Sequence, residues 1–413
     1  MNLITEHQLL IFLIQLFLLL LVARGLGSLF AKIHQPPIVG ELMAGIFLGP
    51  SILGKISPSA FKWLFPVESP QPQMLESITW IGLLLLMLLA GAEVDISIIA
   101  KQKKPIFLTS IMGIALPFVF GLALGLFLLP DSYIGLNSNR IFLSLFLATA
   151  LSISALPVIT RILMDLNLLK SDIGIVNMAS AMLNDLAGWI IFSIIIGLFS
   201  GEGYHLGKLV KITLLTLIFA GFCLTFGRLI MGKILDLTQK KSSSNSRILT
   251  LALSSSFLCG AVTQGIGIHA VFGSFMAGIM LSGSHHLKSS TKDIIRDFTI
   301  GIFAPLFFAT VGLRIDFFKN FDLFLVLIII LIACAGKILG ASLGAKLGGM
   351  SNTDSICIGF GMNARGMMEI ILALLGLKYG IIKESFFEAL VIMAIVTSLM
   401  SGPLIKWAKS RTN

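Results

Sequence analysis

Gly40-Glu41-Leu42-Met43-Ala44-Gly45-Ile46-Phe47-Leu48 returns later in the chain as Gly273-Ser274-Phe275-Met276-Ala277-Gly278-Ile279-Met280-Leu281, with six of nine positions identical in register. The surroundings of the two copies decide what this repetition means. The chain has 413 residues, 56% hydrophobic and 12% charged, a composition that excludes an ordinary soluble globular protein. It reads as an all-α polytopic membrane protein. Stretches of about 20 mainly apolar residues mark membrane spans. Thirteen such segments can be drawn, over residues 8–30, 37–54, 76–97, 105–129, 141–164, 173–199, 207–235, 247–264, 268–284, 295–313, 321–345, 354–376 and 384–405. The first copy lies in segment 2 and the second in segment 9, so an odd number of crossings separates them and they run in opposite directions. Chance likeness between two Gly/Ala-rich helices is the plainer alternative. Taken as a repeat, the pair is the trace of inverted topology, which secondary transporters use to build two access states around one midplane site.

If segments 2–6 repeat as segments 9–13, segment 5 corresponds to segment 12. Both look interrupted. Segment 5 contains ATALSISALPVITRIL (148–163), where Pro157 removes a backbone donor and Thr149, Ser152, Ser154 and Thr160 offer oxygens. Segment 12 contains IGFGMNARGMMEI (358–370), in which Gly359, Gly361, Asn363, Arg365 and Gly366 break an apolar run. Interrupted helices leave amides and carbonyls unpaired, which a membrane tolerates only where protein or a water-filled cavity surrounds them. A proline kink alone, or glycines for close packing alone, would explain either segment singly. Together, in matching repeat positions, they predict two crossed discontinuous helices forming an ion site.

Segment 6 supplies the charge for that site. Asn184-Asp185 sits in the middle of MASAMLNDLAGWIIFSIIIGLF (178–199). A carboxylate at that depth costs roughly 2.5–3.5 kcal/mol on insertion scales, so it needs a proton, a cation or a partner. Lys337 lies at similar depth in segment 11, within GKILGASLG (336–344), whose glycines at every fourth position let another helix approach closely. Pairing would lower the cost of both charges, so contact between Lys337 and Asp185 in one state is expected. A snorkelling lysine, a structural ion pair and a direct role in coupling are the three readings of Lys337. Arg365 and Glu369, four apart on one helix, read as internal charge neutralisation or as Arg365 holding the broken helix or Asn184 in place. The Asn184 amide is expected to bond a backbone group of an interrupted helix. Glu41, after Pro36-Pro37, reads as an end-of-helix packing or gating residue. His269 reads as structural, His285 and His286 as solvated, and Glu93 and Asp95 as marking the end of segment 3.

Transport chemistry needs a group that accepts either a proton or a cation, and burial and a neighbouring cation act oppositely on a carboxylate's proton affinity. Competition of two ions for Asp185 suffices for antiport. With one titrating carboxylate the exchange would be one proton per monovalent cation and insensitive to membrane potential. No metal-ligand spacing involves Cys223, Cys259, Cys334 or Cys357, which read as packing residues. No nucleic-acid motif explains the net charge of +10. Lys and Arg fall roughly two to one on the side of the odd-numbered loops, which puts the N-terminus outside and the C-terminus in the cytoplasm. No removable signal peptide is expected. DLTQKKSSSNSR (236–247) reads as a flexible linker between two halves, and no regulatory nucleotide-binding domain is read in the chain. An enzyme is disfavoured because no HExxH or Ser/His constellation is present, and a channel because no carbonyl-filter motif is repeated.

QPPIVGELMAGIFLGPSILG (35–54), LLAGAEVD (88–95), TALSISALPVITRIL (149–163), NDLAGW (184–189), GIHAVFGSFMAGIML (267–281), PLFFATVGLRID (305–316) and GMNARGMMEI (361–370), in that order, resemble the monovalent cation:proton antiporter-2 family of Na+/H+ and K+/H+ exchangers. The resemblance implies a thirteen-helix fold in a prokaryotic-type plasma (inner) membrane. It implies panel or dimerisation helices over 1–98 and 247–316, core ion-translocation helices over 104–199 and 321–408, and a linker helix over 207–236. Elevator-like movement of core against panel, and a homodimer within the lipid, also follow from it. Asp185 takes the position of the ion-binding aspartate, holding an alkali cation only. Asn184 stands where electrogenic members carry a second aspartate, Lys337 matches the core lysine, and Thr149, Ser152 and Ser154 lie on the unwound helix that lends oxygens. No cofactor is implied beyond the transported ions, H+ and Na+ or K+. A sodium-coupled symporter of an organic anion, on the same fold, is the alternative.

Overall fold

The computed structural model describes residues 5–33, 35–66, 70–92, 102–136, 138–199, 206–241, 245–267, 269–282 and 289–410. Glu93, Asp95, His285 and His286 lie outside them. An apolar chain that must satisfy every backbone donor and acceptor without water has few options besides helix. The helices begin with α1 (Glu6–Lys32), α2 (Pro37–Leu48), α3 (Leu53–Ile56), α4 (Pro58–Leu64) and α5 (Gln71–Ala92). Then come α6 (Lys103–Ala123), α7 (Arg140–Ser152), α8 (Leu156–Asp165), α9 (Asp172–Phe199) and α10 (Leu206–Phe222). Next are α11 (Arg228–Lys241), α12 (Asn245–Gly265), α13 (Ala270–Ser282), α14 (Ser289–Phe298) and α15 (Ala304–Gly312). The chain closes with α16 (Leu323–Leu347), α17 (Asn352–Met362), α18 (Met367–Lys378) and α19 (Glu384–Ser410). Their starts carry local signals: Thr5 and Gln8 form a capping box on α1, Pro37 opens α2, and Asp322 and Ser351 cap α16 and α17.

Two compact units form, Met1–Val94 with Leu214–Asn320, and Asp95–Thr213 with Phe321–Asn413. In the first, the repeated nonapeptides do the same job. A side-chain carbon on Gly45 would lie 2.0 Å from the Ala309 carbonyl oxygen, and one on Gly278 would lie 2.2 Å from that of Leu88. Gly40 and Gly273 press in the same way on the backbones of α1 and α12. So α2 is wedged between α1 and α15, and α13 between α12 and α5. The shared glycines are the positions where two backbones cross with no room for a side chain.

The second unit is duplicated too. α6 lies along α16, with Pro117, Met112 and Leu108 against Gly336, Gly340 and Gly344, the close approach expected from the glycine spacing. α7 then packs on α6 and α9, as α17 packs on α16 and α19. Both expected interruptions occur. α7 ends at Ser152 and α8 starts at Leu156, while α17 ends at Met362 and α18 starts at Met367. The unwound peptides bond each other, Ala155 N–H to Ala364 O at 3.0 Å and the Ser154 hydroxyl to Met362 O at 2.9 Å. A further tie joins the loop before α7 to the loop before α19. There the Gly135 amide donates to Ile381 O at 3.1 Å, and from the same loop before α7 the Tyr133 hydroxyl donates at 2.5 Å to Asp322, the cap of α16.

Ten helices among the described residues are long and apolar enough to cross a membrane, so thirteen crossings are reached only by adding the short α13 and each interrupted pair. Of the expected flexible linker at 236–247, residues 236–241 are the helical end of α11 and 245–247 the start of α12, while 242–244 lie outside the described residues. Lys and Gln are good helix formers, and polarity alone does not end a helix.

Candidate functional site

Asp185 lies midway along α9 and is 3% exposed. Its carboxylate faces the backbone amide of Leu156, the first residue of α8, where helix geometry leaves N–H groups unpaired and favours negative charge. Oδ1 has no hydrogen-bond partner among the described residues. The local reason for this placement is the interruption itself, since an unbroken helix through 153–155 would have consumed the Leu156 amide internally.

Asn184 precedes Asp185 and, at about 100° per residue, points elsewhere. The surrounding donors and acceptors assign its amide orientation: the oxygen accepts from Lys337 Nζ at 3.0 Å, and the nitrogen donates to Ser110 Oγ at 2.7 Å and Ser180 O at 3.1 Å. The expected bond to an interrupted helix is therefore replaced by bonds to α6, to α16 and within α9. Ser110 and Ser180 are site residues that the sequence reading passed over, although both are polar residues inside apolar spans. Ser180 also stands one turn before Asn184, which was a usable signal.

Lys337, fully buried, donates to Gly113 O at 2.9 Å and to Ser152 O as well as to Asn184. Among the described residues it forms no ion pair with Asp185 or any other carboxylate. The last carbonyls of a helix are unpaired and carry the negative end of its dipole. Ser152 ends α7, so the ammonium finds its counter-charge there. Arg365 acts alike. Its guanidinium donates to Ala150 O at 3.3 Å and Leu151 O at 2.8 Å, both in the last turn of α7, and to Ala333 O at 3.3 Å. It is also ion-paired with Glu369 one turn on, and both side chains are inaccessible. Arg365 is thus ion-paired with Glu369 and hydrogen-bonded to the end of an interrupted helix.

Thr149, Ser152 and Ser154 are buried. Each hydroxyl proton is committed to a carbonyl, Thr149 to Leu145 O at 2.8 Å, Ser152 to Ala148 O at 2.6 Å, and Ser154 to Met362 O. What these hydroxyls retain is lone pairs, the complement of a cation. Glu41 belongs to the other unit, buried on α2 against Gly27 of α1. His269 stacks on Trp80 with ring centroids 5.6 Å apart and accepts the Val271 amide at 3.2 Å, a structural arrangement.

This arrangement can exchange one ion for another at a single carboxylate held against a helix N-terminus, with fixed cations already satisfied by carbonyls. Comparison with known proteins bears on which ions. Residues 16–409 match the family described as sodium/hydrogen exchanger, transmembrane. Over 402 residues the chain is 32% identical to a Na(+)/H(+) antiporter of Synechocystis sp., covering 97% of each protein. It is 32% identical over 414 residues to K(+)/H(+) antiporter 1 of Saccharomyces cerevisiae, covering 97% of this chain and 46% of the yeast protein. The structure of the sodium proton antiporter MjNhaP1 from Methanocaldococcus jannaschii superposes with a TM-score of 0.69, covering 97% of both chains at 19% identity, a likeness of fold.

Proposed function

We propose how the site works from the premise that the chain belongs to the sodium/hydrogen exchanger family of transmembrane proteins, a family of transporters and not of enzymes. It exchanges a monovalent cation, Na+ or K+, for protons, and Asp185 binds the two in turn. The observation that carries this is the buried Asp185 carboxylate, its Oδ1 without a hydrogen-bond partner among the described residues, beside the crossing of two interrupted helices. Protonated or cation-loaded, the carboxylate is close to neutral and moves through the low-dielectric barrier; bare and ionised, it is costly to move. That difference couples the fluxes.

Asn184 keeps the neighbouring position uncharged and Lys337 is occupied by carbonyls, which leaves one exchanging carboxylate and an electroneutral exchange of one proton per cation. Thr149, Ser152 and Ser154 lend lone pairs to the dehydrated cation, while Arg365, Glu369 and Lys337 hold the crossing together. The second unit, corresponding to 104–199 and 321–408, acts as the moving core, and helices of 1–98 and 247–316 act as the panel of a homodimer. The linker helix over 207–236 joins them, Glu41 gates from the panel side, and movement is of the elevator type. The chain sits in a prokaryotic-type plasma membrane with its N-terminus outside. The relatives named above are cation/proton antiporters, which favours this reading over an organic-anion symporter.

Proteoliposomes with an imposed pH gradient and Na+, K+ or Li+, with and without a clamped potential, test it. Asp185→Asn is expected to insert normally and lose exchange with every cation. Retained pH-driven cation flux in that variant rejects the assignment.

A further inference from the structure

The two interrupted helices end differently. The last carbonyls of α7, those of Ala150, Leu151 and Ser152, are taken by the cationic groups of Arg365 and Lys337. The matching end of α17 has no cation on it among the described residues. Gly359 O and Gly361 O accept the amides of Asn363 and Ala364, and Met362 O accepts the Ser154 hydroxyl, all neutral donors. The negative end of the α17 dipole is therefore not neutralised.

Asn177 meets that end. It lies on α9 two turns before Asn184, is fully buried, and seats its whole amide on Gly361: a side-chain carbon there would fall 2.6 Å from Oδ1 and 2.7 Å from Nδ2. Neither amide atom has a hydrogen-bond partner among the described residues. Whichever way the amide is turned, one buried oxygen is available at the electronegative end of a helix. Asn363, the C-cap of α17, turns its nitrogen to the Cys334 sulfur at 3.5 Å and leaves its own Oδ1 unmatched. Buried polar groups without partners are costly and mark places where a ligand, ion or water completes the structure.

We propose that the Asn177 amide and the C-terminal end of α17 form a second, weaker site for a monovalent alkali cation, distinct from Asp185. The proposal rests on the cation/proton exchange reading. Neutral amide and carbonyl oxygens suit a monovalent ion that keeps part of its water shell, and a retained water accepts from the amide nitrogen. Such a site holds the cation two helical turns from Asp185, without competing for the proton.

The test uses the full chain, as reconstituted exchange and as thermal unfolding in detergent in NaCl, KCl or LiCl against choline chloride at equal ionic strength. Asn177→Ala is expected to raise the half-saturating cation concentration about fivefold or more, the scale of one lost polar contact. The isosteric Asn177→Asp, which keeps the fit on Gly361, is expected to lower it, and it carries the test if the alanine variant does not fold. Asp185→Asn is expected to retain a cation-dependent rise in Tm that the double variant Asp185→Asn/Asn177→Ala loses. Half-saturation and cation-dependent Tm at wild-type values in both Asn177 variants overturn the proposal and leave Asn177 as a packing amide satisfied by water. If the wild-type protein shows no exchange, the functional reading fails separately, and the cation-dependent Tm then decides the site alone.

Discussion

Asn184 and Asp185 are neighbours with unlike surroundings, and the difference sets the charge balance. Asn184 Oδ1 stands 3.0 Å from Lys337 Nζ, so Asn184→Asp would convert a hydrogen bond into an ion pair and add a second carboxylate. Exchange by that variant is expected to become sensitive to membrane potential, an extra charge being worth about 2.3 kcal/mol per 100 mV. Flux under a clamped potential, compared with the wild type, checks this. Lys337→Ala strips a donor from Gly113 O, Ser152 O and Asn184 Oδ1, all in the dry interior. Each buried acceptor left unmade costs roughly 1–3 kcal/mol. A clearly lower Tm at neutral pH is expected, and an unchanged Tm would show that water replaces the ammonium. The existence of a costly charge at Lys337 was legible in the sequence. Its partner was not, because a long flexible side chain at midspan reaches a carbonyl or a carboxylate according to a few ångströms of helix placement.

Elements show the repeat most plainly. Gly45 and Gly278 hold equivalent positions in the two nonapeptides and both sit on a carbonyl of a crossing helix. Gly45→Val and Gly278→Val are therefore expected to be about equally damaging, since the obstructing atoms are backbone and cannot turn aside. Yield of monodisperse protein by size-exclusion chromatography measures it; a folded Gly278→Val protein would contradict the crossing geometry. The tie between loops is a gentler device. Tyr133 and the Leu325 amide donate to Asp322 and hold its carboxyl below the usual carboxylate range, and the same bond pushes the Tyr133 phenol up to about 12. A lowered carboxylate pKa contributes stability above the unfolded value, about 3.9 for Asp, and loses it as pH falls through the folded value. The phenol remains a neutral donor throughout that range. Tyr133→Phe is thus expected to lower Tm at pH 7, with the gap to wild type closing below about pH 4. A gap of undiminished size in acid would show that the hydroxyl's contribution does not depend on the charge of the Asp322 carboxylate. The interruptions of α7 and α17 were legible from Pro157 and from the Gly-Asn-Arg-Gly cluster. The helical state of 236–241 and 245–247 is not legible from their polarity, because residues such as Lys and Gln continue a helix as readily as they leave one.

Across the whole molecule, each unit has its own core, built from two copies of one helix order. In the elevator reading proposed above, spin labels placed within the second unit, for example at Ser410 and Ser351, are expected to keep their separation when pH or cation changes. A changed separation within the unit would replace rigid movement by internal rearrangement. The sequence alone determined that the chain is helical and spans a membrane, that it is duplicated in opposite directions, and that one aspartate lies at the depth of interrupted backbone. Those conclusions follow from local quantities: transfer free energy counted along the chain, and residue types that cannot continue a helix. The tertiary structure alone decided which buried group satisfies which, placing Lys337 and Arg365 on the end of α7, Asn184 on Ser110, and Asn177 on Gly361. Such pairings join residues far apart in the chain and depend on the angle and spacing at which helices cross, quantities that no stretch of sequence carries by itself.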